Sequence, residues 1–174
     1  MSLHPQEIAD APRAQAPGVR SGLVFTALTY GVSAIGALTV RGRARASSSW
    51  FRTLKKPSFQ PPSWVFAPVW MVLHGSIAAS GWRIWRSPPS LERTRALVLW
   101  AKQLLLNGAW TPLFFGAHKP TAALADLMAL DVAAGKYAVG AAKVDRTAAM
   151  LVAPYLAWLG LATALNAAIV ARSS

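Results

Sequence analysis

Residues 64–85 read WVFAPVWMVLHGSIAASGWRIW, a run with one arginine, Arg83, and no acid. Pro61-Pro62 precedes it and Arg86-Ser87-Pro88-Pro89 follows it. About 20 apolar residues in a row make a helix long enough to cross the hydrocarbon core of a bilayer. Four further runs have this character, at about 21–40, 95–115, 121–140 and 148–171. Lipid offers the backbone no hydrogen-bond partners, so each run must satisfy its own N–H and C=O groups as a helix. The pattern predicts an all-α integral membrane protein, a bundle of five transmembrane helices within one domain, residues 21–172. The connections after the second, third and fourth runs are short, which makes consecutive helices antiparallel neighbours.

Composition agrees with this reading. Of 174 residues, 54% are apolar and 14% charged, against about 25% charged in a soluble domain. Disorder is excluded by the apolar content. The lack of cysteine excludes a disulfide framework and thiolate chemistry. Residues 1–20 are polar and hold Pro5, Pro12, Pro17, Glu7 and Asp10. They read as a disordered tail, with neither the basic start of a secretory signal nor the acid-poor pattern of a transit peptide.

The formal net charge is +12, which in a soluble protein would point to nucleic acid. Here the cations cluster between apolar runs, as with Arg41, Arg43, Arg45, Arg52, Lys55 and Lys56. They read as loops meeting anionic head groups, so the expected partner is a lipid bilayer and not nucleic acid. Eight cations fall on each side of a five-span chain, so the positive-inside rule selects no orientation. A bacterial envelope membrane and an organellar one are both compatible.

The long connection, 41–63, contains Pro57, Pro61 and Pro62, which forbid a regular helix around them and hold the chain extended. Its aromatics suit either a segment folded back as a lid or a solvated linker.

Three runs carry mixed aromatic and polar stripes at helical spacing. They are Phe66, Trp70 and His74; Gln103, Asn107, Trp110 and Phe114; and Tyr155, Trp158, Ala162 and Asn166. Converging, such faces enclose a flat apolar cavity with a few polar fixing points, the usual anatomy of a small-molecule site. Trp64, Trp82 and Trp85 lie at run ends, where indoles anchor at the interface. Trp70, Trp110 and Trp158 lie deeper, where packing and ligand contact are equally open readings. A neutral imidazole at His74 could ligate iron or simply donate to a neighbouring carbonyl. Lys102 and Asp131 fall at matching depth on the hairpin of the third and fourth runs and could pair, and Asp126 falls next to Asn107. No catalytic constellation and no metal-ligand spacing is present.

The stretch from Trp50-Phe51 through Lys56-Pro57 and Pro61-Pro62-Ser63-Trp64-Val65-Phe66 to Pro68-Val69-Trp70 resembles the translocator protein family. That family is also called tryptophan-rich sensory protein or peripheral benzodiazepine receptor. Asn107-Gly108-Ala109-Trp110-Thr111-Pro112 resembles its third-helix motif, and Pro154-Tyr155-Leu156-Ala157-Trp158 with Asn166 its fifth. The resemblance implies a five-helix bundle, usually a homodimer, binding porphyrins such as protoporphyrin and haem, sterols, or benzodiazepine-type ligands. It implies no obligatory cofactor. The ligand site it implies is Phe66, Trp70, Asn107, Trp110, Phe114, Trp158 and Ala162, to which the stripe on the second run adds His74, under a lid holding Pro61, Pro62 and Trp64 with Lys56 and Pro57 ahead of them. The function implied is sensing or carriage in tetrapyrrole and stress regulation. Light- and oxygen-dependent porphyrin breakdown is the alternative, and sterol or lipid transport a third. The chain departs from the pattern at His74, where many members have Tyr, and at Ala123 or Asp131, where an aromatic flanks the pocket. Ala167 stands where the fifth-helix sterol motif has Tyr.

Overall fold

Ser90 sets the start of one of the long helices. Its backbone is extended, its Oγ accepts the N–H of Arg93 at 3.1 Å, and helix α4 (Leu91–Thr111) begins directly after it. This cap satisfies one of the amides that every helix start leaves unpaired. The structure, a computed structural model, describes residues 18–42 and 44–173. The other elements are α1 (Val19–Arg41), α2 (Ala44–Thr53), α3 (Ser63–Arg86), α5 (Pro120–Val144) and α6 (Arg146–Ser173), with a π-helical turn at Pro112–Gly116. The described residues contain no strand. The tail read as disordered lies outside the described residues up to position 17, and its last residues, Val19 and Arg20, begin α1.

Proline fixes several of the boundaries. Pro61-Pro62 precede α3, Pro88 follows its end, and Pro120 is the first residue of α5. Pro112 has no N–H to continue the ladder of α4, and the chain passes into the wider turn, closed by the Ala117 amide on the Pro112 carbonyl at 2.8 Å. The connection 41–63 departs from expectation in its first half, which forms α2. No proline interrupts it before Pro57, and Trp50 and Phe51 give it an apolar face. Among the described residues of this connection, Gly42 forms a turn after α1, and 54–62, where the prolines lie, is non-helical.

The five long helices pack in a closed ring in the order α1, α3, α6, α5, α4 and back to α1. Three of them, α1, α3 and α6, are long and apolar enough to cross a membrane. The charges of α4 (Glu92, Arg93, Arg95, Lys102) and α5 (Asp126, Asp131, Lys136, Lys143) set those two apart.

Glycines let the backbones approach. A Cβ on Gly36 of α1 would lie 2.8 Å from the Gly108 carbonyl oxygen of α4, and one on Gly108 would collide with Val32. Gly81 of α3 lies beneath Phe25 and the Trp100 indole, whose Nε1 donates to the Ile77 carbonyl at 3.0 Å. Polar groups in the packed interior are paired with one another. Ser80 Oγ donates to the Ala148 carbonyl at 2.7 Å, so the Tyr137 hydroxyl, 2.6 Å away, is the donor to Ser80. Gln103 is one exception, 1% exposed with neither amide atom paired among the described residues, and Trp110 Nε1 and Asp126 Oδ2 are others.

At the membrane-flanking turn between α5 and α6, Asp145 accepts the Ala148 amide at 3.0 Å and binds Arg83 Nη2 of α3 at 2.9 Å. Partial burial raises its carboxyl pKa, but these donors outweigh that effect and hold it below the ordinary value. A depressed folded pKa stabilises the fold above the unfolded pKa and is lost as pH falls through the folded one. Asp145→Asn should therefore lower the melting temperature at pH 7, with the deficit closing as pH falls below ~4. A deficit that is constant with pH would contradict this.

Adding a methyl at Gly81 forces the Trp100 indole off its carbonyl, an overpacking that costs about 1–3 kcal/mol. Gly31 has open space around its Cβ position. Gly81→Ala should lower thermal stability in detergent or lipid while Gly31→Ala leaves it nearly unchanged. Equal effects would show that the close approach is not limiting.

Candidate functional site

At the centre of the ring lies a chamber of about 250 Å³ to which every long helix contributes. Ser33 comes from α1; Phe66, Trp70 and His74 from α3; Asn107, Trp110 and Thr111 from α4. Leu127 and Leu130 of α5 and Trp158, Leu159 and Ala162 of α6 complete it. The i, i+4, i+8 spacing puts the three α3 residues on one face, and the ring order turns that face inward.

One end of the chamber is polar. His74, 7% exposed, stacks on Trp70 with centroids 5.2 Å apart, and its Nε2 lies 2.6 Å from Ser33 Oγ. Asn107 donates to the fully buried Tyr155 hydroxyl at 3.2 Å. His74 thus spends Nε2 on α1 and ties α1 to α3, an arrangement that leaves that nitrogen engaged rather than open to an iron. Behind α6, Thr163 donates to Asp131 at 2.8 Å. Lys102 is exposed, and among the described residues the only ion pair is Arg83–Asp145, so the pairing of Lys102 with Asp131 does not form. The Asp126 Oδ2 atom is buried without a partner among the described residues.

A second chamber of about 350 Å³ adjoins the first and shares Phe66, Trp70, Trp110 and Ala162 with it. Its remaining walls are Phe51, Gln60 and Ser63 from the 41–63 segment, Phe114 and Phe115 from the π-helical turn, and Leu165, Asn166 and Ile169 from α6. Trp110 and Phe114 stack at 5.0 Å and 17°. Trp110 borders both chambers, and its buried Nε1 has no acceptor among the described residues.

The segment 41–63 covers this chamber through aromatic contacts. Trp50 stacks on His118 at 4.4 Å, Phe51 packs edge-on against Phe114, and Lys56 Nζ sits 4.2 Å over the Phe51 ring. His118 takes φ 54° in the turn before α5. Of the expected lid residues, Pro57 is buried, Pro61 and Lys56 are half-buried, and Pro62 is exposed. Trp64 is 74% exposed and points away from the chamber.

The eight expected site residues all border one chamber or the other: seven line the inner one, and Phe114 lines the outer. Ser33, Leu127, Leu130 and Leu159 were not anticipated, because small or aliphatic residues in an apolar run carry no mark of which face turns inward, whereas Thr111 lay within the quoted third-helix motif. Gln60 carried no signal either. Phe51 and Asn166 lay within the quoted motifs.

Fold and cavity together define a membrane-embedded helical protein that encloses a small-molecule-sized site. The TspO/MBR family matches residues 24–172, and the chain belongs to that family. It is similar to the translocator protein of Sus scrofa, 41% identical over 133 residues, 75% of this chain and 79% of that one. It is also similar to the tryptophan-rich sensory protein of Cereibacter sphaeroides, 37% identical over 142 residues, 80% of this chain and 85% of that one. Protein CrtK of Rhodobacter capsulatus is 33% identical over 128 residues, 72% of this chain and 79% of that one.

Removing one partner of the Asp131–Thr163 bond leaves a polar group unsatisfied, at about 1–3 kcal/mol. Thr163→Val should lower stability by that order, and Asp131→Leu with Thr163→Val by less than the two single losses added. Lys102→Met should leave the Asp131 effect unchanged. Additivity of the Asp131 and Thr163 losses, or coupling between Lys102 and Asp131, would contradict this geometry.

Proposed function

We propose that the protein is a five-span membrane receptor that binds porphyrins such as protoporphyrin and haem, and related flat lipophiles such as sterols. It acts as a sensor or carrier in tetrapyrrole and stress regulation. The observation that carries this reading is the pair of adjoining chambers walled by the Trp70, Trp110 and Trp158 indoles and the Phe66 and Phe114 rings. A macrocycle presents two apolar faces and keeps its polar groups at the edge, which suits aromatic walls with polar atoms confined to the ends. Ser33, His74 and Asn107 supply the polar inner end, and the unpaired Trp110 N–H offers a donor between the chambers. Lys56 beside Phe51 brings a cation to the lid, where a ligand carboxylate can meet it. The printed names of the relatives, translocator and sensory protein, fit carriage and sensing respectively.

In this reading α4 and α5 also cross the bilayer. Their 21 and 25 residues span about 31 and 37 Å at 1.5 Å per residue, enough for the hydrocarbon core. Asp131 accepts a hydrogen bond from Thr163 of α6. A homodimer belongs to the same proposal, since α1 leaves Leu23, Val24, Leu28, Ile35 and Leu38 exposed.

An indole in contact with the macrocycle contributes about 1 kcal/mol beyond area burial. Trp70→Ala and Trp110→Ala should each weaken protoporphyrin IX binding several-fold in a fluorescence-quenching titration, with the helical content retained. Unchanged affinity in both would place the site elsewhere. The same samples under illumination in air discriminate the enzymatic alternative: an unaltered porphyrin spectrum supports a receptor, and a new absorbing product supports light-dependent breakdown.

A further inference from the structure

One residue that lines the inner chamber also lines a groove on the outer surface of the ring. On the outer surface of the ring, α3 and α6 leave a groove between them, lined by Val69, Val72 and Leu73 on one side and Ala157 and Trp158 on the other. Trp158 is the one residue that borders both this groove and the inner chamber. Its indole is met by Phe66 edge-on, with centroids 5.5 Å apart and planes at 72°. Each helix also carries a proline on the groove, Pro68 in α3 and Pro154 in α6, both exposed. Each removes one backbone hydrogen bond to the carbonyl four residues earlier and so makes the helix easier to bend there.

Resting on the porphyrin-receptor reading, we infer that this α3–α6 groove is a lateral portal through which a flat lipophile passes between the bilayer and the chamber, with the Trp158 indole as its gate. The occupant follows from the chemistry of the surface. The groove is apolar and lies on two helices that are long and apolar enough to cross the membrane, so its mouth opens into hydrocarbon, where a lipophile concentrates. The route past the lid is blocked by several packed aromatics, with Trp50 on His118 and Phe51 against both Phe114 and Phe115. Rotation of one indole away from Phe66 joins groove to chamber, whereas lifting the lid breaks all of those contacts together.

A path residue outside the cavity alters the barrier and leaves both end states alone, so association and dissociation must slow by the same factor. Val72→Phe and Ala157→Phe fill the groove, and neither residue lines a chamber. The test is stopped-flow quenching of tryptophan fluorescence by protoporphyrin IX with the full chain in lipid nanodiscs. Both variants should slow binding and release by about tenfold while the equilibrium affinity stays within about twofold. Val98→Phe, on the exposed face of α4, should leave the rates unchanged. Unchanged rates in both groove variants, or equal slowing in Val98→Phe, overturn the portal. Absence of quenching in the wild type would instead overturn the receptor reading on which it rests.

Discussion

The close approach of α1 to α4, where Gly36 meets the Gly108 carbonyl, is the constraint on which the rest of the molecule depends. In hydrocarbon there is no hydrophobic force to gather helices, so association rests on backbone proximity and side-chain packing. Any side chain at either position would hold the two helices apart. Closing the ring at that seam brings Ser33 within hydrogen-bond distance of His74 and sets Asn107 beside the chamber. The opposite arc is spaced by rings instead, with Trp70, Trp158 and Tyr155 between α3 and α6. A bundle that is tight on one side and propped by indoles on the other leaves its empty volume at the centre.

The positions of the five long helices were legible because the apolar runs are long and prolines punctuate them, and three of the five are long and apolar enough to cross a membrane. The site was legible to the extent that it used marked residues. Phe66, Trp70, His74, Asn107, Trp110 and Trp158 stand out from their neighbours by chemistry, and helical spacing aligns them. Ser33 does not stand out in a first run rich in glycine, serine and threonine, and only the Gly36–Gly108 contact turns it inward. The helix α2 within the connection was hidden by the prolines that follow it, since composition averaged over 41–63 conceals a proline-free first half. The expected pairing of Lys102 with Asp131 counted depth along the hairpin but not rotation about each helix. Rotation sends Lys102 outward and Asp131 to Thr163.

Under the proposed function the two chambers would divide the demands on a receptor of flat lipophiles. The inner one, with Ser33, His74 and Asn107 at its polar end, would fix orientation, and the outer one would add aromatic area beneath the segment that holds Trp50, Phe51 and Lys56. His74 contributes mainly by joining α1 to α3 and by stacking on Trp70. On that account the imidazole places a polar group at the inner end while keeping a ring against the indole.

The most direct measurement is an experimental structure of the protein in a lipid bilayer with protoporphyrin IX bound. The account predicts macrocycle density inside the ring, against Trp110 and Trp158 and beneath the 41–63 segment. Density confined to the outer faces of the helices, with both chambers empty, would contradict it.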